Sequence, residues 1–376
     1  MKNYDIAAFV WPSYTGDEPR TRIFWPDGIG EWQTVKGMTD KGYEGCRWPR
    51  IPLWGYENEA DSAVMEKQID CAVSYGVNVF IYDWYWYDNR PFLENCLNDG
   101  FLKAKNNDKM KFCLMWANHD ANHLWDKRNS DKDLSTVIWS GVVTPKIFSE
   151  ICDSTIEKYF KKDNYYCIDG CPVYMIFDID NFIRSFGTSD ECKKGIEEFR
   201  QKTIDAGFKG LHLQFVHWRN RVFNWLSEED SQKGVTSSQM YDFLGADSVT
   251  SYNWGCSTDL NGEYTDVTEN YLNAIKGECE NLNIPFYPNI SVGWDNNVRF
   301  NDFVPGVVVN NTPESFRAAC EKIKGFADAS IENGVMKAPL ITVNSWNEWT
   351  ETSYLEPDDL YGYGYLEEIK NVFVEG

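Results

Sequence analysis

Residues 76–85 read "GVNVFIYDWY". The run is almost continuously apolar and rich in β-branched and aromatic side chains, the pattern of a strand covered on both faces, as parallel strands are. The residues before it keep a different period. Met65, Ile69, Ala72 and Val73 recur at i, i+4, i+7 and i+8, which is one face of a helix, and Gly76 stops that helix. The order is therefore helix, glycine, buried strand, and then an acid, Asp83, where the strand ends. What this unit builds depends on how often it recurs.

It recurs through the whole chain. Comparable runs stand at "YDIAAFVW" (4–11), "KFCLMWAN" (111–118), "CPVYMIFDID" (171–180), "GLHLQFVHW" (210–218), "ADSVTSYNW" (246–254), "IPFYPNISVGW" (284–294) and "APLITVNSW" (338–346), which makes eight in all. Helical patterns with recognisable starts lie between them. Thr144-Pro145 and Thr312-Pro313 each pair an N-cap with proline at the first helical position. Thr188 with Glu191 fits a capping box, and Phe316, Cys320, Ile323 and Ala327 form another apolar stripe. Eight strands alternating with helices, with no linker or composition break, predict an α/β chain whose residues 1–376 form a single (β/α)8 TIM barrel. The β-α connections at 12–60 and 119–143 are long and are expected to decorate the C-terminal face. A doubly wound open sheet is the rival architecture, but "VWPSYTGD" after the first strand lacks the glycine-rich phosphate turn it would carry.

In a barrel the chemistry sits at the C-terminal strand ends. Here nearly every strand ends in side chains suited to a site: Trp11; Asp83, Trp84 and Tyr85; Trp116, Asn118 and His119; Asp178 and Asp180; His217 and Trp218; Tyr252, Asn253 and Trp254; Trp294 and Asp295; and Asn347 with Glu348. The last run continues into "NSWNEWTETSYLEP" (344–357), with Glu348 and Glu351 three residues apart. On a continuing strand these two would face opposite ways; in a tight turn they share a face at a spacing of ~5–6 Å, the scale on which two carboxyl groups act on one glycosidic centre. The competing reading keeps one acid catalytic and ties the other into the wall through an arginine or backbone amides.

Composition narrows the partners. There are 58 acidic and 36 basic residues, a net charge of −22, which disfavours nucleic acid and anionic membranes. Aromatic residues make up 16% of the chain and sit beside short polar groups, a mixture suited to ligands with apolar faces and hydroxyls, as sugars have. An oligosaccharide or polysaccharide is therefore the expected partner, with no nucleic acid and no membrane insertion; oligomeric state leaves no trace. The eleven cysteines are scattered without a CxxC pair and read as reduced thiols. With no signal-like segment at the start of this numbering, the expectation is a soluble cytoplasmic protein. No cofactor and no metal are expected. His119 and His123 in "HDANH" have helical metal spacing but fall in a loop, with a hydrogen bond to substrate the preferred role. "DID" (178–180) matches a metal–nucleotide pattern too short to be specific, and "GYGY" (362–365) lacks the lysine of a phosphate loop.

Three stretches carry a family resemblance: "PLWGYENEADSAVMEKQIDCAVSYGVNVFIYDWYWYDNRPFLE" (52–94), "KFCLMWANHD" (111–120) and "NSWNEWTETSYLEPD" (344–358). The chain resembles the WbsX-like family, whose members are often described as glycosyltransferases of lipopolysaccharide synthesis. Through it the chain is similar to the family 99 glycoside hydrolases, the endo-α-mannosidases and endo-α-mannanases, whose corresponding element reads Asn-Glu-Trp-His-Glu. The likeness implies a (β/α)8 barrel and a retaining hydrolysis in which the substrate's own 2-hydroxyl is the nucleophile, giving a 1,2-anhydro sugar. It implies Glu348 as the base on that hydroxyl and Glu351 as the acid on the leaving oxygen, with Trp346 and Asn347 flanking them and Tyr354 and Glu356 lining the wall. Thr350 stands where the mannosidases have His. The alternatives are a glycosyltransferase or transglycosylase of surface polysaccharide on the same scaffold, and a catalytically inactive carbohydrate-binding barrel. A sugar-nucleotide-dependent transferase is disfavoured by the lack of paired nucleotide-binding halves.

Overall fold

The computed structural model describes residues 3–43, 48–131 and 134–376. Its central sheet contains β1 (Asp5–Val10), β2 (Val79–Tyr87), β3 (Lys111–Trp116), β4 (Cys171–Ile176), β5 (His212–Val216), β6 (Ser248–Thr250), β7 (Phe286–Tyr287), β8 (Asn289–Ser291) and β9 (Leu340–Asn344). Every pairing among these nine is parallel. They run in the order β7-β6-β5-β4-β3-β2-β1-β9-β8. Only Pro288 separates the first and last members of that order, so the sheet returns on itself as a nearly closed barrel. The expected run at 284–294 is thus two short strands rather than one. Proline has no N–H for the ladder, yet the Pro288 carbonyl still accepts from the Thr342 amide at 3.0 Å.

Helices alternate with the strands at Ser62–Ser74, Pro145–Thr155, Ser189–Asp205, Ser237–Leu244, Tyr264–Cys279, Pro313–Glu332 and Gly364–Phe373. Thr144, Thr188 and Thr312 each cap the helix expected of them by accepting a backbone amide. The reciprocal capping box forms elsewhere, between Thr236 and Gln239, because the Glu191 carboxylate turns to Lys194 at 2.6 Å instead. On the 62–74 helix the buried face is Met65, Gln68, Ile69 and Ala72, while Val73 is exposed. Residues 362–365 lead into the final helix.

The two long connections cover the C-terminal end and pack on each other. Trp25 and Phe24 of the first meet Trp125 and Trp139 of the second, with ring centroids 6.3 and 5.4 Å apart respectively. Below them the barrel interior is closed by side chains such as Phe9, whose ring lies 4.8 Å from that of Tyr252.

Candidate active site

The chain leaves β9 and turns back at once. Asn347–Glu348 pairs antiparallel with Ser353–Tyr354, and a 3-10 turn, Trp349–Glu351, joins them. Thr352 closes the turn in the left-handed region at φ 54°. Side chains fix this hairpin on every side. The Asn347 amide exchanges two hydrogen bonds with the Trp11 backbone, at 2.7 and 2.9 Å. Ser345 Oγ accepts the Glu348 amide and donates to the Ser353 carbonyl, both at 2.7 Å. The Trp349 ring stacks on Tyr354 at 3.8 Å, and its Nε1 donates to Glu356 at 2.6 Å.

The turn places Glu348 and Glu351 on one face, where one guanidinium meets both. Arg299 Nη1 donates to Glu351 Oε1 at 2.8 Å, Nη2 approaches Glu348 Oε2 at 3.4 Å, and Nε reaches Glu31 Oε1 at 3.3 Å. Glu31 also accepts from Trp11 Nε1. Tyr252 Oη lies 3.0 Å from Glu348 Oε1 and 3.1 Å from Asp83 Oδ2. Both acids are nearly enclosed, Glu348 at 3% and Glu351 at 8% exposure. Among the described residues nothing hydrogen-bonds Glu351 Oε2, Asp83 Oδ1 or Thr350 Oγ1.

Three carboxyl groups thus crowd one cation, with Asp83 beside them across Tyr252. Burial, and then the charge of Glu351, raise Glu348 well above the usual carboxylate range, while Arg299 opposes the shift. Burial raises Glu351 too, again against Arg299. Asp83 is raised well above its ordinary value by burial, opposed by the Tyr252 hydrogen bond. Like charges this close cannot all ionise, so the site stores protons. Glu348 has a hydrogen-bonding group at each oxygen, Tyr252 at Oε1 and Arg299 at Oε2. Glu351 leaves Oε2 open, where a proton can sit and be given up.

Of the residues expected at the site, the fold gathers Trp11, Asp83, Tyr85, His119 and Tyr252 around these acids. Tyr85 holds the middle of an aromatic wall, with ring centroids 5.5 Å from Trp11, 5.6 Å from His119 and 5.7 Å from Trp125. His119 is half-buried, its loss of solvent lowers its pKa, and its Nδ1 bonds the Asp120 carbonyl at 3.0 Å. His123 starts a 3-10 turn, and no metal-holding cluster exists among the described residues.

Other expected residues point elsewhere, chiefly through the alternation of a strand, which sends neighbours to opposite faces. Asp83 faces inward, so Trp84 faces the helices and donates to Glu94 at 3.0 Å. Trp116, in register with Trp84, stacks on Phe148. Trp254 stacks on Tyr271 at 5.5 Å, and Trp346 lies 5.2 Å from Phe80 and donates to Gln68. His217 Nδ1 bonds Tyr241 at 3.0 Å and its Nε2 lies 3.2 Å from Glu278 without a hydrogen bond among the described residues, on the helix side. Asn253 gives its carbonyl to a short turn, and Trp294 is half-buried against the core.

Several polar residues are braces. Asn118 bonds the Asp178 backbone in both directions, at 2.7 and 2.8 Å. Asp178 caps the short helix Ile179–Arg184, and Asp180 makes two 2.7 Å bonds to Arg221, so both acids of "DID" have structural partners. Asp295 spends both oxygens on Asn297, Trp48 and Tyr43, tying down the loop that carries Arg299. Tyr354 donates to Asp358 at 2.8 Å, and Glu356 accepts from Gln68 and Trp349.

Sequence reasoning missed Arg299 and Glu31. Arg299 follows β8 by a few residues, but Arg219 and Arg221 follow β5 in the same way and pair with Asp259 and Asp180. Position along the chain does not separate these cases. Glu31 lies inside a long loop with no pattern around it.

A nearly closed parallel barrel with buried paired acids at its C-terminal end defines the class of molecule, and comparison with known proteins places the chain within it. The family described as "Glycosyltransferase WbsX" matches residues 6–369, and the chain belongs to that family. A protein described as uncharacterized, WxcX of Xanthomonas campestris pv. campestris, is 22% identical over 373 residues, covering 96% of this chain and 48% of the relative. The chain thus spans about half the length of the curated relatives it matches. Among solved structures it resembles the GH99 endo-alpha-mannosidase from Bacteroides thetaiotaomicron, at TM-score 0.58 and 14% identity over 98% of this chain and 96% of that one. A glycoside hydrolase-like protein is similar at TM-score 0.57 and 16% identity over 99% and 94%. These likenesses establish a shared barrel fold.

Proposed function

We propose that the protein is a retaining glycoside hydrolase acting on 1,2-trans, α-manno-configured glycans through participation of the substrate's 2-hydroxyl. The observation that carries this reading is the meeting of Glu348 and Glu351 on Arg299 within one hairpin turn. Glu348, held between Tyr252 and Arg299, draws the proton from the 2-hydroxyl as O2 attacks the anomeric carbon. Glu351, with Oε2 open, protonates the departing glycosidic oxygen. Water then opens the 1,2-anhydro ring; Glu351 takes its proton and Glu348 returns one to O2, so both acids end as they began. O2 can displace the leaving group only from the opposite ring face, which restricts the substrate to 1,2-trans glycosides such as α-mannosides and α-rhamnosides. Trp11, Tyr85 and His119 supply the aromatic and polar wall such a ring requires.

Proton NMR of the first-formed product from a panel of aryl glycosides and polysaccharides tests the reading. The expected product keeps the anomeric configuration of the substrate, and an inverted one refutes the mechanism. A second reading, transfer of the glycosyl unit to a sugar acceptor, is favoured by the description of the family. It uses the same acids and predicts that an added acceptor diverts product from hydrolysis.

A further inference from the structure

Tyr252 Oη stands between two carboxyl groups, 3.1 Å from Asp83 Oδ2 and 3.0 Å from Glu348 Oε1. A phenol hydroxyl has one proton, so it donates to one of these oxygens only. The other contact is a hydrogen bond only if that carboxyl is itself protonated and donates to Oη. Two ionised carboxylates would set lone pairs against lone pairs in a buried place.

The surroundings decide which carboxyl holds the proton. The titratable and charged groups facing this pair are Tyr14, Tyr85, Glu351, Glu31 and Arg299. Arg299 approaches Glu348 Oε2 at 3.4 Å, and the Glu348 amide is held by Ser345. Among the described residues Asp83 has no such cationic contact. Its Oδ1 is buried without a partner among the described residues, and Tyr252 is its one hydrogen-bond partner there. The charge of Glu351 disfavours ionisation of both carboxyls, but Arg299 opposes it at Glu348 and not at Asp83.

We infer that Asp83 is kept as a neutral carboxylic acid that donates to Tyr252 and so directs the tyrosine proton at Glu348. Asp83 is a positioning residue, acting on Glu348 through Tyr252. This rests on the assignment of Glu348 as base given above. The direction of the chain keeps Glu348 an ionised acceptor before attack. No proton passes along it during the reaction: Glu348 takes the 2-hydroxyl proton while the Asp83 and Tyr252 O–H bonds stay intact. The opposite polarity, with Asp83 ionised and Glu348 neutral, would make Asp83 the terminal base.

The two polarities separate on one substitution. Asp83→Asn places an amide N–H where the carboxyl O–H stood, and kcat is expected to stay within about fivefold of wild type, one neutral donor replacing another. Asp83→Val leaves Tyr252 Oη without a donor, and kcat should fall by about tenfold or more. A loss in Asp83→Asn as large as that in Glu348→Gln overturns the inference. A readout independent of activity is the infrared spectrum of intact protein labelled with carbon-13 in the aspartate carboxyl. Near neutral pH the wild type should show a protonated aspartate C=O band that disappears in both Asp83 variants. Absence of that band from wild type overturns the inference even if the enzyme is a retaining glycosidase. A band present in protein that lacks glycosidase activity supports the protonated Asp83 and removes only the assignment of Glu348 as base.

Discussion

Arg299 is the side chain on which the site most depends. It is buried, and three carboxyl groups set around it offset the cost of enclosing its charge. Removing one partner from a buried ionic cluster leaves charge uncompensated, so Arg299→Met should lower stability by about 3–5 kcal/mol, read as a drop in the urea midpoint. The same cation opposes the rise of Glu351, so its loss raises that acid further. If the variant remains active, the alkaline limb of its kcat/KM profile moves to higher pH. In the wild type, activity should need one proton on the Glu348–Glu351 pair, and so be lost at high pH as that proton leaves and at low pH as a second is taken up. Because burial raises both, the window should lie above the range of ordinary carboxylates. Glu351→Gln is expected to remove the alkaline limb and about 10²–10⁴-fold of kcat on substrates that need leaving-group protonation, and less on aryl glycosides with good leaving groups. A wild-type profile centred where free carboxylates titrate would contradict this account.

The element that matters is the 347–354 hairpin, and a second buried acid pair supports it from behind. Glu59 accepts from both Asn347 and Gln68, and the Gln68 amide also donates to Glu356 at 2.8 Å. Burial pushes Glu59 from 4.5 up to about 7 and raises Glu356 well above the usual range. In both, the folded chain binds protons more tightly than the unfolded one. Their contribution is therefore fully present below about pH 4.5 and declines as pH rises through about 7 for Glu59, and higher for Glu356. The urea midpoint is expected to be higher near pH 5 than near pH 8, and Glu59→Gln should flatten that slope; a midpoint that rises across this interval is the contrary result. At the short helix Ile179–Arg184, Asp178→Ala removes an N-cap and should cost about 1 kcal/mol. Since Asp178 and Asp180 already serve as cap and Arg221 partner, Mn²⁺ with a nucleoside diphosphate should leave the melting temperature unchanged.

For the molecule as a whole, the interior of the barrel is both core and floor of the site. Phe9 is fully buried beneath Tyr252. Phe9→Ala should destabilise the fold by about 3–5 kcal/mol, measured by urea unfolding. It should also lower activity more than a comparable cavity on the helix side of the sheet, because Tyr252 would lose its support. The barrel was legible because its evidence is local. The apolar run at 76–85, the helix period before it and the glycine between them report their own backbone states, and repetition of the unit leaves few ways to close a sheet. The hairpin acids were legible for the same reason, since three residues and a turn are a local matter.

The side on which each strand-end residue falls was not legible. Trp84 and Trp116 have the composition of a sugar-binding wall yet pack against helices, because a shift of one residue reverses the face, and the flanking sequence does not mark where the alternation begins. Arg299 and Glu31 come from distant loops and meet the acids only once the barrel has closed. The chain order thus specifies the repeated unit, its parallel sheet and the paired acids, all set by periods of two to four residues. The proton balance of the site, the neutral Asp83 and the cation among the carboxylates depend on groups far apart in the chain, whose energies arise only when folding removes the water between them.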